Sequence, residues 1–408
     1  MAKTSSLLHN ITLDGLEIAP SQVWGAVRLV PLLRSDVRAD LRLFKRSYDE
    51  DLAVVALDGM VTERSKVPGG KTKETIAPGL KYFSFVPHGL VLSWSSDGSP
   101  IAAYGGQVAP ADGKRMNYPF GTIRLLHRMA KKESSNQMRF LPLHLALEGF
   151  LSMFFSGPDI AWSEYSLYAR RHGLGFRLEY SYSGRAIERL DEALRVFEIH
   201  ANQVGVLVFV ADALASAFVV PTPSDYRALH ASLIDDFFGE LMYYYGVLHD
   251  TVYPFEMRFD DAKITTLKDV RSELAQMRAS WASFQGFMSE GLLQKKLNAK
   301  IVCDAGPYFL QRFITDLSLD GENHIGEAIV DKQGQVQYLK SYRLSAAQTR
   351  RVYLLSKLSE HNWNFGATAS AMACTKEQLT ERFEKSGFGY LLSDQVRQAC
   401  AKSKKKTR

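Results

Sequence analysis

The stretch Gln203-Val204-Gly205-Val206-Leu207-Val208-Phe209-Val210, followed after Ala211-Asp212 by Ala213-Leu214-Ala215-Ser216-Ala217-Phe218-Val219-Val220, decides the fold class. Both runs are rich in apolar and β-branched residues, and Asp212 supplies turn chemistry between them. A third apolar run, Leu194 to Ile199, precedes them with Asn202 in its turn, so three consecutive strands are expected. Thr222-Pro223-Ser224-Asp225 then opens a helix, with Thr222 as N-cap, Pro223 at the first position and Asp225 at the third. Leu229, Leu233 and Phe237 form the apolar stripe of that helix. Sheet followed by helix, within a longer chain of both, reads as α+β.

Working outward, the N-terminal side is strand-rich. Trp24 to Leu33 is an apolar run cut by Pro31, and Leu52–Leu57, Tyr82–Val86 and Leu90–Trp94 follow between turn residues. Thr62 to Gly79 reads as a solvated loop carrying Lys71 and Lys73, and Gly105 to Gly121 as a connection at a boundary. Helical signals begin near Arg124. Leu141 to Phe155 places His144 and Glu148 on one helix face, where a hydrogen bond is the reading and no third metal ligand stands at diagnostic spacing. A further helix is expected from Pro158 towards Gly173.

Beyond the central strands, Lys263 to Leu297 reads as one long helix or a broken pair. Its stripe of Leu267, Val270, Leu274 and Met277, continued by Trp281 and Phe284, suits either core packing or a dimer contact. Ile325–Ile329 and Gln335–Lys340, joined by Asp331-Lys332-Gln333-Gly334, make a hairpin.

Phe197-Glu198-Ile199, Gln203 to Phe209, the helix start near Asp225-Tyr226 and Leu29-Val30-Pro31-Leu32-Leu33 together resemble the ARPP domain family, proteins associated with ADP-ribosylglycohydrolases and rhodanese-phosphatases. The resemblance implies an α+β domain of bacterial origin without an established reaction. Its company with ADP-ribose enzymes suggests a nucleotide-like ligand, for which Glu198 and Gln203 are the polar candidates in the matched strands. The alternative is that both satisfy backbone groups at a strand turn.

The C-terminal end reads as three helices. Leu344-Ser345 starts the first, Asn364 caps the second, and Thr375 caps the third with Gln378 at the capping-box position. Leu379 and Phe383 are expected inward, with Ala369 at a close crossing, Met372 filling the core and Gly387 ending the third helix. Trp363, Asn364, Thr368, Ala369, Met372, Thr375, Leu379, Phe383 and Gly387 resemble the Fis-type helix-turn-helix, in which the third helix enters the DNA major groove. That resemblance places Lys376, Gln378, Thr380 and Arg382 on or beside the recognition face, with Lys385 and the tail residues Lys404, Lys405 and Lys406 adding phosphate contacts. The turn holds Ala373 where glycine is usual, and Glu377, Glu381 and Glu384 lie on the same helix. Those carboxylates repel phosphate, so a protein partner is the second reading of the unit.

Charge supports an anionic partner for this end. From Arg343 to Arg408 there are 13 Lys+Arg against 5 Asp+Glu, whereas the rest of the chain has 37 against 39. The domains expected are 1–125, strand-rich; 126–340, an α+β body; 341–400, the helix-turn-helix; and 401–408, a basic tail. No apolar run reaches the ~20 residues of a membrane helix, and the N-terminus lacks a signal-peptide pattern. Cys303, Cys374 and Cys400 are scattered, which suits a reduced, cytoplasmic protein. There is no Gly-rich phosphate loop, nucleophile elbow or His-Glu-x-x-His signature, so no catalytic residues, metal or cofactor are assigned. His230, Asp235, Asp236 and Glu240 read as surface charge. The expectation is a regulatory or accessory protein that binds DNA as a homodimer, or alternatively a component acting on ADP-ribose or NAD-type molecules.

Overall fold

In a computed structural model the described residues are 7–37, 150–151, 154–155, 197–232, 249–254, 261–305, 307–389 and 392, with the backbone of the strands between 41 and 140. The architecture is α+β, built on one large antiparallel sheet. In chain order its strands are β1 (Glu17–Ile18), β2 (Gln22–Trp24), β3 (Val27–Leu33), β4 (Gln203–Val210), β5 (Ala213–Val219), β6 (Leu297–Ala305), β7 (Tyr308–Thr315), β8 (His324–Asp331) and β9 (Val336–Arg343). The spatial order is β1-β3-β4-β5-β9-β8-β7-β6, and β2 also pairs with β3.

The hairpin β4–β5 turns at Ala211 and Asp212, both at positive φ, +48° and +57°. Two left-handed residues give the turn a twist that matches the flanking strands. The sheet has two halves, β1–β5 and β6–β9, and its seam is β5 against β9, where Phe218 faces Lys340 and Val219 faces Leu339. This ladder is short. Buried serines extend it, for Ser216 Oγ donates to Ser341 O at 2.7 Å and the Ala217 N–H donates to Ser341 Oγ at 2.9 Å.

Every residue of β4 is buried, as a strand covered on both faces requires. On one face Val30, Leu207, Leu339, Ala328 and Phe313 join a core that takes in Leu8, Ile11 and Leu292. The other carries Phe218 edge-on to Tyr338 at 6.2 Å. It also carries a row of charges at paired positions: Arg312 on β7, Glu327 on β8 and Lys340 on β9. Arg312 Nε lies 3.0 Å from Glu327 Oε1, and burial holds the Lys340 amine below its usual range against the pull of Glu327.

Helix α1 (Pro223–Ser232) starts as expected, the Asp225 N–H donating to Thr222 Oγ1 at 3.2 Å. The 263–297 segment is a broken pair, α2 (Leu267–Met288) and α3 (Glu290–Leu293), and Thr266 caps α2 in a capping box with Asp269. Along its stripe only Trp281 is buried; Leu267 is exposed and Val270, Leu274 and Met277 are half-buried. The last hairpin forms as read, with Gly334 at φ +84° in its turn.

Three expectations are corrected. The 62–79 segment contains strands, since Met60–Lys66 pairs with Thr72–Pro78. Its β-branched residues hold a ladder that the Gly and Lys content obscures. Phe197–His200 is not a strand, because the backbone of Glu198 pairs with the side chain of Gln22 instead. Strands β6 and β7 appear where no strand was expected. The His144–Glu148 pair, the 158–173 helix, Leu233, Asp235, Asp236, Phe237, Glu240 and the tail with Lys404, Lys405 and Lys406 lie outside the described residues.

Candidate nucleic-acid interface and a sheet-end cleft

Strand β9 runs on past residue 340 to Arg343, and α4 (Ala346–Glu360) follows at once, capped by Ser345 in a capping box with Gln348. Asn362 and Trp363 take left-handed φ of +50° and +60° to turn the chain. Helix α5 (Phe365–Ala371) is capped by Asn364, whose Oδ1 accepts the Ala367 N–H at 3.0 Å. Ala373, at φ +49°, makes the next turn, and α6 (Lys376–Lys385) begins at Thr375. Thr375 Oγ1 accepts the Gln378 N–H at 3.2 Å, and Gln378 Oε1 accepts the Thr375 N–H at 3.0 Å.

The inward face is apolar. Val352, Leu355, Leu358, Ala369, Leu379 and Phe383 are buried, and the Phe365 ring meets Phe383 edge-on at 5.4 Å. Met372 is only half-buried, at the C-terminal cap of α5 rather than in the core. Arg351 lies over the Phe388 ring at 4.6 Å, tying α4 to the end of α6 past Gly387, whose φ is +79°.

Lys376, Gln378, Arg382 and Lys385 are exposed on α6, as are Glu377 and Glu384. Thr380 corrects the expectation. It is 2% exposed and its Oγ1 donates to Lys376 O at 2.8 Å, so it belongs to the packed face. Gln378 Oε1 is committed to the cap, which leaves its amide nitrogen outward. Lys376 lies across Gly366 of α5, and Lys385 pairs with Glu381 at 3.0 Å.

Glu198 and Gln203 do not share a pocket wall. Glu198 is exposed. Gln203 is buried, its Oε1 accepting the His200 N–H at 3.1 Å and its Nε2 donating to Gly205 O at 3.2 Å. Its role is to satisfy backbone groups at the entry to β4. His230 is buried rather than on the surface; its Nδ1 lies 3.2 Å from the Tyr226 hydroxyl, and burial lowers its pKa to about 4.

A second site, missed in the sequence, lies where the Asp212 turn meets the end of α2. It is a cleft of about 810 Å³ with Asp212, Phe284, Phe287, Glu290, Lys295 and Glu322 among its walls. Arg28 organises it from behind. This arginine of β3 is 2% exposed; its Nε donates to Asp212 Oδ1 at 2.9 Å, its other nitrogens to Ser21 Oγ and Tyr253 O, and its guanidinium lies 5.6 Å from the Phe284 ring centre. The available signal was Arg28 itself, a charge inside an otherwise apolar strand. Among the described residues no cluster of His, Cys, Asp or Glu is arranged to hold a metal, and no helix is long and apolar enough to cross a membrane.

Sheet and helices together define an α+β protein, with three packed helices between residues 346 and 385. The chain belongs to the ARPP-2 family, whose sequence model matches residues 11–306. The match ends between β6 and β7, so β7 to β9 and helices α4 to α6 lie beyond it. Neither the curated proteins nor the solved structures yield a match.

Proposed function

We propose that α4 to α6 form a helix-turn-helix of the Fis type and that the protein is a bacterial, cytoplasmic regulatory or accessory factor. Two copies bind duplex DNA through α6, while the sheet body takes a ligand or partner. The observation that carries this reading is the α5–Ala373–α6 corner: a tight left-handed turn, a capped second helix buried through Leu379 and Phe383, and a polar outer face. Gln378 Nε2 would meet a base edge, and Lys376, Arg382, Lys385 and the tail lysines Lys404, Lys405 and Lys406 would meet phosphates. The positive surplus of the C-terminal end supports the same partner.

Fluorescence anisotropy of a labelled duplex with the full chain tests it. Binding should weaken steeply with salt, with a log–log slope of about −0.9 for each phosphate neutralised. Reversing Lys376, Arg382 and Lys385 to glutamate should reduce affinity by at least about tenfold. Absent binding, or binding indifferent to both salt and the reversals, overturns the proposal. A second reading has its own support, because three carboxylates balance the three cations of α6. A face of zero net charge suits a protein partner, and retained pull-down of one partner without DNA binding would select that reading.

A further inference from the structure

We infer that the cleft beside Asp212 binds a small organic cation, a protonated amine carried on a flat apolar body. This is independent of the DNA reading, since the cleft lies on the sheet body.

Size and shape come first. About 810 Å³ falls within the roughly 300–1,000 Å³ range of small-molecule sites. One wall is aromatic, and Phe287 stands 75% exposed there beside Met288 and Phe284. Such a ring face offers both an apolar platform and the negative quadrupole that attracts a cation.

Among the side chains that line the cleft, carboxylates outnumber amines. Asp212, Glu290 and Glu322 face one lysine, Lys295, whose Nζ already donates to the Glu322 carbonyl. Glu322 is paired with Arg343 at 2.9 Å, and Asp212 gives only Oδ1 to Arg28. Asp212 Oδ2 and the Glu290 carboxylate have no partner among the described residues and remain for a ligand. The C-terminal end of α2 adds its partial negative charge, with no basic residue in its last turn to offset it. An anion entering here would meet carboxylates and a helix C-terminus together. The carboxylates, the ring faces and the helix end favour a cation, and Lys295, held on the Glu322 carbonyl, is the one opposing charge among the lining side chains.

The site is also held in place before any ligand arrives. Buried Arg28 grips the carboxylate of Asp212 and stacks on Phe284, so one residue fixes an acidic and an aromatic element of the cleft. Asp212 itself sits at φ +57°, a conformation maintained by the β4–β5 turn.

Calorimetric titration of the full chain with phenylethylamine, its neutral alcohol counterpart phenylethanol, and the anion phenylacetate tests the inference. The amine should bind and raise the melting temperature, the alcohol should bind about tenfold more weakly, and the anion should give no signal. Phe287→Ala and Glu290→Gln alter exposed side chains and should leave the unliganded melting temperature in place. Each should weaken amine binding by about tenfold. Equal or tighter binding of phenylacetate, no binding of the amine at millimolar concentration, or amine binding unaffected by both substitutions overturns it. None of these outcomes bears on DNA affinity.

Discussion

Arg28 Nε stands 2.9 Å from Asp212 Oδ1 and joins β3 to the turn between β4 and β5. The arginine is buried while Asp212 is partly hydrated, so the loss on breaking the pair falls mainly on the guanidinium's other partners. Arg28→Met keeps the aliphatic bulk and should cost roughly 2–3 kcal/mol in urea unfolding. Asp212→Asn retains an oxygen acceptor and tolerates positive φ, so it should cost about 1 kcal/mol.

Ala373 occupies the turn between α5 and α6 at φ +49°. A side chain there costs about 1 kcal/mol relative to glycine. Ala373→Gly should therefore raise stability by about that amount, and Ala373→Val should lower it further. Thermal unfolding of the three proteins side by side checks the order.

His324 is fully buried, and neither ring nitrogen has a hydrogen-bond partner among the described residues. Burial, then the nearby charges of Arg343 and Lys295, lowers its pKa from 6.5 to about 3. The folded state therefore keeps it neutral while the unfolded chain takes up a proton near pH 6.5. Its share of stability is complete above that pH and is lost as pH falls towards 3, by up to about 1.4 kcal/mol per pH unit. His230 adds a parallel loss down to about 4. His324→Leu sacrifices no ring hydrogen bond, so it should change stability little at pH 7 and flatten the acid limb of a pH–stability curve.

Gly326 lets β8 and β9 close on each other. A methyl group there would sit 2.5 Å from Phe313 Cζ and closer still to Lys340 O. Gly326→Ala should cost about 1–3 kcal/mol or more, since the obstructing oxygen is backbone and cannot turn aside. Denaturant midpoints for this variant and for Gly334→Ala, which meets no neighbour but sits at φ +84°, separate crowding from backbone strain.

Local signals were legible in the sequence. The β4–β5 hairpin, the Thr222 cap, the final hairpin and the three terminal helices each rest on residues close in the chain. Strands β6 and β7 were not legible, because Lys300, Gln311 and Arg312 interrupt any apolar alternation. Arg312 is acceptable there because Glu327 lies opposite it, on a strand that follows later. Thr380 was misplaced for a similar reason. Its hydroxyl is polar by type, but by donating to Lys376 O it lets the methyl enter the core. The cleft needed Arg28, Asp212 and Phe284 to be brought together from three distant segments, which no spacing in the sequence records.

The β5–β9 seam also governs how the chain is made. Strand β9 is the last of the sheet to be synthesised, yet it lies between β5 and β8. Until Arg343 has left the ribosome, β5 presents an open and largely apolar edge, the kind of edge that pairs with other chains. The β4–β5 hairpin can form early, but closure of the sheet waits for contacts of large sequence separation and is slow for that reason. A nascent chain of this protein is thus most exposed to misassembly in the interval between finishing β5 and delivering β9.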